Sequence, residues 1–185
     1  MILSNYSSHA NKQYFGNAQK TSPKFSPIDN QIISNYQDDP TAVNQAINFL
    51  AENRKAIKKL SKTDLKNIVL AFIKKIEERT NELAAIISQE TGKALWEAKT
   101  EVGALKAKAI GSLEQWEAQN FTSLKDALPG VLGEVHTKPL GIISVLGPFN
   151  FPMHLPNGQI VPALLKGNSI LFKPSELTPG CGELY

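Results

Sequence analysis

Two short apolar runs late in the chain most constrain how it can fold. "GIISVLG" (141–147) is a continuous apolar run of the kind typical of a strand buried on both faces, and "NSILFK" (168–173) has the same character. "LPNGQIVPALLKG" (155–167) lies between them and predicts a short helix, with Gly167 suited to its C-terminal cap. Strand, crossover helix and strand make a βαβ unit, whose two strands are parallel. The sequence therefore predicts an α/β fold with its first βαβ unit at 141–173.

Residues 41–118 predict a helical region ahead of this unit. One helical stretch opens the region, and a second runs from near "SKTD" to about Glu90, with Thr63 as its N-cap and Gly92 as its end. A third helix starts at about Lys93 and continues to the end of the region. Apolar residues recur at three- and four-residue steps, which indicates helices packed on one another. In the first stretch the predicted apolar stripe is Val43, Ile47, Leu50, Ile57 and Leu60.

The flanking segments carry weaker patterns. Residues 1–27 are polar and predict an arm or irregular lead-in, and "PIDNQII" (27–33) has a weak signal for a short strand pair. The alternation in "VLGEVHTKP" predicts an exposed strand over 131–138. "LTPGCGELY" begins like another helix, with Thr178 as its N-cap and Pro179 in its first turn.

The number of predicted parallel strands is low for the fold that they indicate. A doubly wound sheet has several parallel strands, and two alone would leave edges and apolar faces exposed. We therefore expect the chain to be the N-terminal piece of a larger protein. In this interpretation residues 28–185 form an incomplete domain, truncated in the helix that follows the βαβ unit.

Charge and composition argue against several classes of protein. The net charge is +3, and the basic residues, all lysines except Arg54 and Arg79, are spread among 17 acidic residues, which is typical of a solvated surface and not of a nucleic-acid-binding stripe.

No apolar run approaches the roughly 20 residues that cross a bilayer. The first residues lack the apolar core of a signal peptide and the arginines of a mitochondrial transit peptide. The single cysteine, Cys181, excludes an internal disulfide framework and a thiolate metal cluster. We expect a cytoplasmic protein with no nucleic-acid or membrane partner.

Polar side chains follow both predicted strands at their carboxyl ends, where open parallel sheets bind ligands. Asn150 lies in "GPFNFP", where Pro148 and Pro152 stiffen the chain around it. Lys173 ends the second strand, and Glu176 follows in "FKPSE". Two plainer interpretations stay open, since Asn150 could cap the next helix and Lys173 could extend into solvent. Neither common glycine-rich phosphate-loop motif is present in the sequence.

Several stretches resemble the NAD(P)-dependent aldehyde dehydrogenase superfamily. "GIISVLGPFNFP" and "LPNGQIVPALLKGNSILFKPSELTP" are similar to the front half of its nucleotide-binding domain, and "ISQETGKALWEAKTEV" is similar to the helical segment before it. The resemblance covers roughly residues 25–185 and involves several motifs in the same order. Within the superfamily, "NFPMHLPNGQIVPALL" and "KPSELTP" resemble most the succinylglutamate semialdehyde dehydrogenases of arginine catabolism.

The resemblance implies the N-terminal part of the aldehyde dehydrogenase fold, with helices packed on the start of a Rossmann-like parallel sheet. It implies oxidation of an aldehyde to the acid with NAD through a cysteine thiohemiacetal. Asn150 matches the asparagine whose side-chain N–H stabilises the oxyanion formed when the thiolate adds. Lys173 and Glu176 match the residues that bind the adenosine ribose hydroxyls, and an acid there favours NAD over NADP. The positions that run past the cofactor match Leu146, Gly147, Pro148 and Phe149.

Two other side chains near these motifs have less definite roles. His154 either recognises a substrate carboxylate or makes a structural hydrogen bond near the helix start, and we favour the structural role. Cys181 lies where the family has no catalytic group, so we reject it as the nucleophile. Its place in the opening turn of a helix nevertheless predicts a lowered pKa and a reactive thiol.

The family's nucleophilic cysteine and general-base glutamate belong downstream of this sequence. We therefore expect the chain alone to be inactive, and to need the C-terminal portion of the enzyme to act on a small-molecule aldehyde. Full-length relatives are homo-oligomers, and the strand at 131–138 matches a region that contributes to their subunit contacts. Two alternatives remain: a non-catalytic remnant of an interrupted gene, and an assembly module.

Overall fold

The structure, a computed structural model, describes residues 9–10, 13–14, 21–37, 41–119, 123–134 and 136–185. Its elements in chain order are β1 (His9–Ala10), β2 (Gln13–Tyr14), β3 (Thr21–Phe25), β4 (Ile32–Gln37), α1 (Thr41–Glu52), α2 (Arg54–Lys58), α3 (Lys62–Glu78), α4 (Thr80–Thr91), α5 (Leu95–Ala118), β5 (Ser123–Leu128), β6 (Val131–Glu134), β7 (Ile142–Leu146), α6 (His154–Leu165), β8 (Ser169–Lys173) and α7 (Pro179–Leu184). None of the described helices is long and apolar enough to cross a membrane.

The predicted βαβ unit is present. β7 and β8 pair in parallel, with Ile142 opposite Ser169 and Leu146 opposite Lys173, and α6 connects them. Gly167 follows the end of α6 with φ 78°, a left-handed conformation that glycine adopts at little steric cost. The α/β class is therefore confirmed.

Burial of β7 differs from the prediction of a strand buried on both faces. Val145 is buried, whereas Ser144 and Leu146, which point to the opposite face, are exposed. In the described part of the chain, β8 is the strand that pairs with β7. The apolar run thus predicted the strand correctly, but it overestimated the fraction of the strand's surface that is buried in this chain.

The core lies where the helical region packs on the βαβ unit. Buried apolar side chains of α3, α4, α5 and α6 form it, and Ile87, Leu105 and Met153 are among the largest that are fully buried. Asn157 of α6 is also fully buried, and its amide donates to the Leu105 carbonyl at 2.9 Å. The Tyr185 hydroxyl donates to the Asn157 side-chain oxygen at 2.9 Å, so both ends of this buried amide have partners.

The first helical stretch consists of two helices, and its buried face differs from the predicted stripe. α1 buries Ala42 and Ala46, while Val43 and Ile47 are exposed. α1 lies beside β7 and β8. The stripe prediction was wrong for Val43, Ile47 and Leu60, which are exposed, because hydrophobicity alone favoured the larger side chains.

The second predicted helix is divided at Arg79 into α3 and α4. The Thr80 hydroxyl donates to the carbonyls of Ile76 and Glu77, at 2.9 Å and 3.0 Å. This side chain therefore competes with the backbone hydrogen bonds of a continuous helix. The apolar pattern runs through the break, which is why periodicity did not reveal it.

The N-cap of α3 is Ser61, and the prediction of Thr63 was wrong. Ser61 Oγ accepts from the Asp64 N–H at 3.1 Å, and the Asp64 carboxylate accepts from the Ser61 N–H at 2.8 Å, which makes a capping box. At the other end of the region, Gly92 ends α4 with φ 77°, as predicted.

Two strand predictions also need correction. β3 lies inside the segment 1–27 that was predicted to be irregular, and it pairs antiparallel with β4. The strand predicted over 131–138 ends at Glu134; residue 135 lies outside the described residues, and 136–138 are not in a strand. β6 pairs antiparallel with β5, a strand that was not predicted from the sequence.

Candidate active site

The carboxyl ends of β7 and β8 meet side by side. Leu146 lies opposite Lys173, and the Gly147 N–H donates to the Lys173 carbonyl at 2.9 Å, which extends the pairing beyond the strand. A Cβ on Gly147 would lie 2.9 Å from Cε2 of Phe172. Glycine at this position therefore allows the loop after β7 to pass close to β8.

Residues 147–153, here called the Asn150 loop, connect β7 to α6. α6 begins at His154 with Met153 as its N-cap residue, so the interpretation of Asn150 as the helix cap was wrong. Asn150 is exposed, and its amide has no hydrogen-bond partner among the described residues. Its backbone carbonyl accepts from Lys93 Nζ at 2.6 Å. The loop therefore has a fixed backbone contact and leaves the Asn150 amide open to solvent.

A buried ion pair lies beneath this loop. Lys93 Nζ lies 2.7 Å from Oε2 of Glu101, whose side chain is only 1% exposed. The other Glu101 oxygen accepts from the Met153 N–H at 3.4 Å, and Lys93 Nζ lies 3.9 Å from the centroid of the Phe151 ring. Neither member of the pair was predicted from the sequence. A signal was present, because Glu101 occupies an apolar-stripe position of the third predicted helix.

Lys173 and Glu176 form an exposed ion pair. Lys173 Nζ lies 3.2 Å from Oε2 of Glu176, with the side chains 64% and 65% exposed. Hydrogen bonding by its own backbone amide, and then by Lys173, lowers the pKa of Glu176. The Glu176 carboxylate is therefore charged at neutral pH. Both side chains are open to a ligand, although such an exposed pair adds little to stability.

Apolar surface adjoins these polar groups. Leu146 and Phe149 are exposed at the end of β7, and Pro148 between them is half-buried. His154 packs edge-on against Phe151, with ring centroids 6.3 Å apart. Its Nδ1 is buried without a hydrogen-bond partner among the described residues, so the structural hydrogen bond that we favoured is not made at that atom.

Cys181 differs from its prediction. It is fully buried, and burial, followed by the negative charge of Glu90, raises the pKa of the thiol. The predicted lowering of the pKa was wrong, first because the thiol is buried and second because a carboxylate already occupies the opening turn of α7. Glu90 accepts from the Gly180 and Cys181 N–H groups, each at 2.8 Å, whereas Thr178, the predicted cap, makes no capping bond.

A wide cleft in the described part of the chain lies elsewhere. It has a volume of about 800 Å³ and is lined partly by Pro139 and Gly167, which precede β7 and β8. It is therefore at the amino ends of the strands, opposite to Asn150 and Lys173. Ligands of open parallel sheets bind beyond the carboxyl ends, so the Asn150 loop is the better candidate.

These features define the start of an α/β domain with a parallel sheet of the Rossmann type, preceded by packed helices. The sequence model described as "Aldehyde dehydrogenase family" matches residues 14–185. The chain belongs to the aldehyde dehydrogenase family, which confirms the resemblance.

Curated relatives are similar over the same region. N-succinylglutamate 5-semialdehyde dehydrogenase of Photorhabdus laumondii is 40% identical over 161 residues, which is 86% of this chain and 33% of that protein. The enzyme of the same name from Burkholderia vietnamiensis is 50% identical over 113 residues, 61% of this chain and 23% of that protein. The chain therefore spans about a third or less of the relatives that it matches.

Solved structures share the fold. A structure of 3,6-anhydro-L-galactose dehydrogenase superposes with a TM-score of 0.85 at 24% identity, covering 97% of this chain and 38% of that chain. Lactaldehyde dehydrogenase from Escherichia coli gives a TM-score of 0.82 at 26% identity, covering 90% and 35%. Glyceraldehyde-3-phosphate dehydrogenase GapN from Methanocaldococcus jannaschii, solved complexed with NADP, gives 0.79 at 26%, covering 88% and 36%.

Proposed function

We propose that the chain is the N-terminal portion of an aldehyde dehydrogenase that oxidises N-succinylglutamate 5-semialdehyde to the acid with NAD in the cytoplasm. The substrate assignment is supported by relatives of that name at 40% and 50% identity. The observation that carries the reaction class is the exposed Asn150 amide, on a loop braced from below by Lys93.

Asn150 stabilises negative charge in this proposal. A cysteine thiolate from the C-terminal portion adds to the aldehyde carbon, and the carbonyl oxygen becomes an oxyanion that accepts a hydrogen bond from the Asn150 side-chain N–H. A donor already aimed at the developing charge lowers the barrier by roughly 3–4 kcal/mol. The absence of a competing partner for this amide among the described residues supports the role.

The side chains at the strand ends fit a nicotinamide dinucleotide, which when bound accepts a hydride. Lys173 can donate to ribose hydroxyls and the Glu176 carboxylate can accept from them, and both are exposed. The negative charge of Glu176 disfavours a 2′-phosphate, so we propose NAD over NADP. The dinucleotide would run along the adjoining apolar surface and close to the backbone there, at Leu146, Gly147, Pro148 and Phe149.

The chain alone is inactive in this proposal. Its one cysteine is fully buried with a raised pKa, so it does not supply the thiolate. The nucleophilic cysteine and the general-base glutamate come from the C-terminal portion, and the complete enzyme is a homo-oligomer. A second candidate is a non-catalytic assembly module or remnant, which the exposed Leu128 and Val131 on the β5–β6 hairpin favour.

The test is NADH formation with N-succinylglutamate 5-semialdehyde, by this chain alone and mixed with the C-terminal portion. We expect activity in the mixture only, with NAD preferred over NADP. Asn150→Ala should lower kcat about 10²–10³-fold, while Asn81→Ala, an exposed asparagine on α4, should leave it unchanged. No activity in a mixture of folded pieces, with self-association of the chain alone, would favour the assembly module.

A further inference from the structure

The Asn150 side chain makes no hydrogen bond within the described part of the chain, so its direction depends on the backbone beneath it. Pro148 and Pro152 restrict that backbone from within the loop. A third restraint comes from the helical layer, where Lys93 Nζ donates to the Asn150 carbonyl at 2.6 Å. This carbonyl belongs to the same residue whose side chain is the candidate oxyanion donor.

Lys93 is itself held in place from several sides. Its backbone follows Gly92, the left-handed end of α4, and its carbonyl accepts from Ser88 Oγ at 2.7 Å. Its ammonium lies 2.7 Å from Glu101 and 3.9 Å from the centroid of the Phe151 ring. The side chain is only 14% exposed. Three contacts therefore fix one ammonium group, and two of them are to the Asn150 loop.

Glu101 reaches a second point of the same loop. One carboxylate oxygen binds Lys93, and the other accepts from the Met153 N–H at 3.4 Å. The ion pair thus spans the loop from Asn150 to the start of α6. If Lys93 served only to compensate the buried charge of Glu101, one contact between the two side chains would be enough. That role does not account for the additional contacts of Lys93 with Asn150 and Phe151.

We propose that Lys93 is a positioning residue, which with Glu101 clamps the backbone of the Asn150 loop and so fixes the direction of the Asn150 amide. This inference rests on the proposed function, because fixing the direction of the Asn150 amide affects catalysis only if that amide is the oxyanion donor. It adds to that function a group from the helical layer, 57 positions earlier in the chain, that acts through Asn150 without touching the substrate.

The first test measures the loop itself in this chain. Backbone ¹⁵N order parameters of Asn150 and Phe151 should fall from about 0.85 to below about 0.6 in Lys93→Met, values typical of rigid and flexible backbone. Lys106→Met is the matched control, because Lys106 also forms an ion pair between helices, with Glu77, away from the loop. Unchanged order parameters in Lys93→Met would overturn the clamp.

The second test measures catalysis in the complete enzyme. Lys93→Met should lower kcat about 10- to 100-fold, since a misplacement of about 1 Å can cost about 10²-fold in rate. The dissociation constant of NAD should change less than about twofold. In an Asn150→Ala background the same substitution should have little further effect, because residues that act as a unit are not additive. Lys93→Arg should restore part of the rate by keeping the charge.

Two outcomes distinguish a failure of this inference from a failure of the proposed function. An equal loss of kcat from Lys93→Met with and without Asn150 would overturn the positioning role and leave the proposed function intact. An unchanged kcat in Asn150→Ala alone would overturn the oxyanion role of Asn150 and with it the catalytic part of the inference, whereas no activity in the wild-type mixture would overturn the proposed function itself. Since Lys93→Met leaves Glu101 buried and unpaired, Lys93→Met/Glu101→Gln removes both charges and serves if the single variant does not fold. Wild-type kcat in that folded double variant would also overturn the inference.

Discussion

At the scale of single residues, buried polar side chains connect segments that are distant in sequence. Glu90 and Glu101 both occupy positions where helical periodicity predicts an apolar side chain, and both are almost fully buried. Each carboxylate accepts hydrogen bonds from the backbone near the candidate site, Glu90 from the start of α7 and Glu101 from the start of α6. Burying a carboxylate costs desolvation free energy, and the hydrogen bonds to these backbone groups offset part of that cost. An acidic residue at an apolar position of a helix therefore indicates a specific buried polar contact.

Cys181 provides a prediction at this scale. Because the thiol is fully buried and its pKa is raised, iodoacetamide should not modify Cys181 in the folded chain and should modify it fully after denaturation. Mass spectrometry of the intact chain measures the added carbamidomethyl group. Rapid labelling of the folded chain would show that the opening turn of α7 is accessible and contradict the burial.

At the scale of elements, the ends of helices and strands depend on single contacts. α3 begins at a capping box made by Ser61 and Asp64, and the loop after β7 passes β8 at Gly147. Neither feature follows from apolar periodicity, which assigns the elements without fixing their ends. Both can be tested by a substitution with a matched control nearby.

The capping box predicts a difference between two hydroxyl residues. Ser61→Ala should lower the free energy of unfolding by about 1 kcal/mol, because the Asp64 N–H loses its acceptor. Thr63→Ala, inside the first turn, should change it by less than about 0.5 kcal/mol. Urea unfolding followed by circular dichroism measures both. Equal effects would indicate that Ser61 is not the cap.

The close approach at Gly147 predicts a difference between two glycines. Gly147→Ala places a Cβ 2.9 Å from Cε2 of Phe172 and 3.1 Å from its Cζ, so we expect a loss of about 1–3 kcal/mol in the free energy of unfolding. Gly103→Ala, within α5 and with no atom within 4 Å of the new Cβ, should instead gain about 0.5–1 kcal/mol. The same urea titration compares them, and stabilisation by Gly147→Ala would refute the close approach.

At the scale of the whole molecule, Glu90 connects the helical layer to the last described helix. It lies at the end of α4 and accepts hydrogen bonds from Gly180 and Cys181 in α7. Burial raises its pKa, although the two backbone amides and the more distant charge of Lys24 partly offset the shift. The stability of the molecule should therefore depend on the protonation of this one carboxyl group.

The sign of that dependence follows from the raised pKa. Since the folded chain holds the proton more tightly than the unfolded chain, the contribution of Glu90 is fully present below its ordinary pKa of 4.5 and is lost as pH rises through the raised value. The stability of the wild type relative to Glu90→Gln should thus fall as pH rises above 4.5, measured by urea unfolding at a series of pH values.

Glu82 provides the control for this titration. Its pKa is lowered by a hydrogen bond from Arg79, so its contribution is present above its ordinary value and is lost as pH falls. Glu82→Gln should therefore show the opposite sign and a small effect, since the pair is exposed. A flat difference between wild type and Glu90→Gln would show that Glu90 titrates normally in the folded chain.

The sequence by itself determined the features that depend on neighbouring residues. The βαβ unit, the left-handed ends at Gly92 and Gly167, and the family resemblance all follow from short patterns that local backbone sterics and periodicity impose. Asn150, Lys173 and Glu176 were found because the carboxyl ends of parallel strands share one edge of a sheet. Their roles remain predictions.

Only the tertiary structure decided which distant groups meet. Glu90 caps a helix that starts about 90 positions later, and Lys93 binds a carbonyl 57 positions away. The pairing of β5 with β6 and the burial of Ala42 and Ala46 likewise depend on packing. The physical reason is that spacing in sequence fixes the direction of a side chain on its own element, whereas its partner is set by how the elements pack.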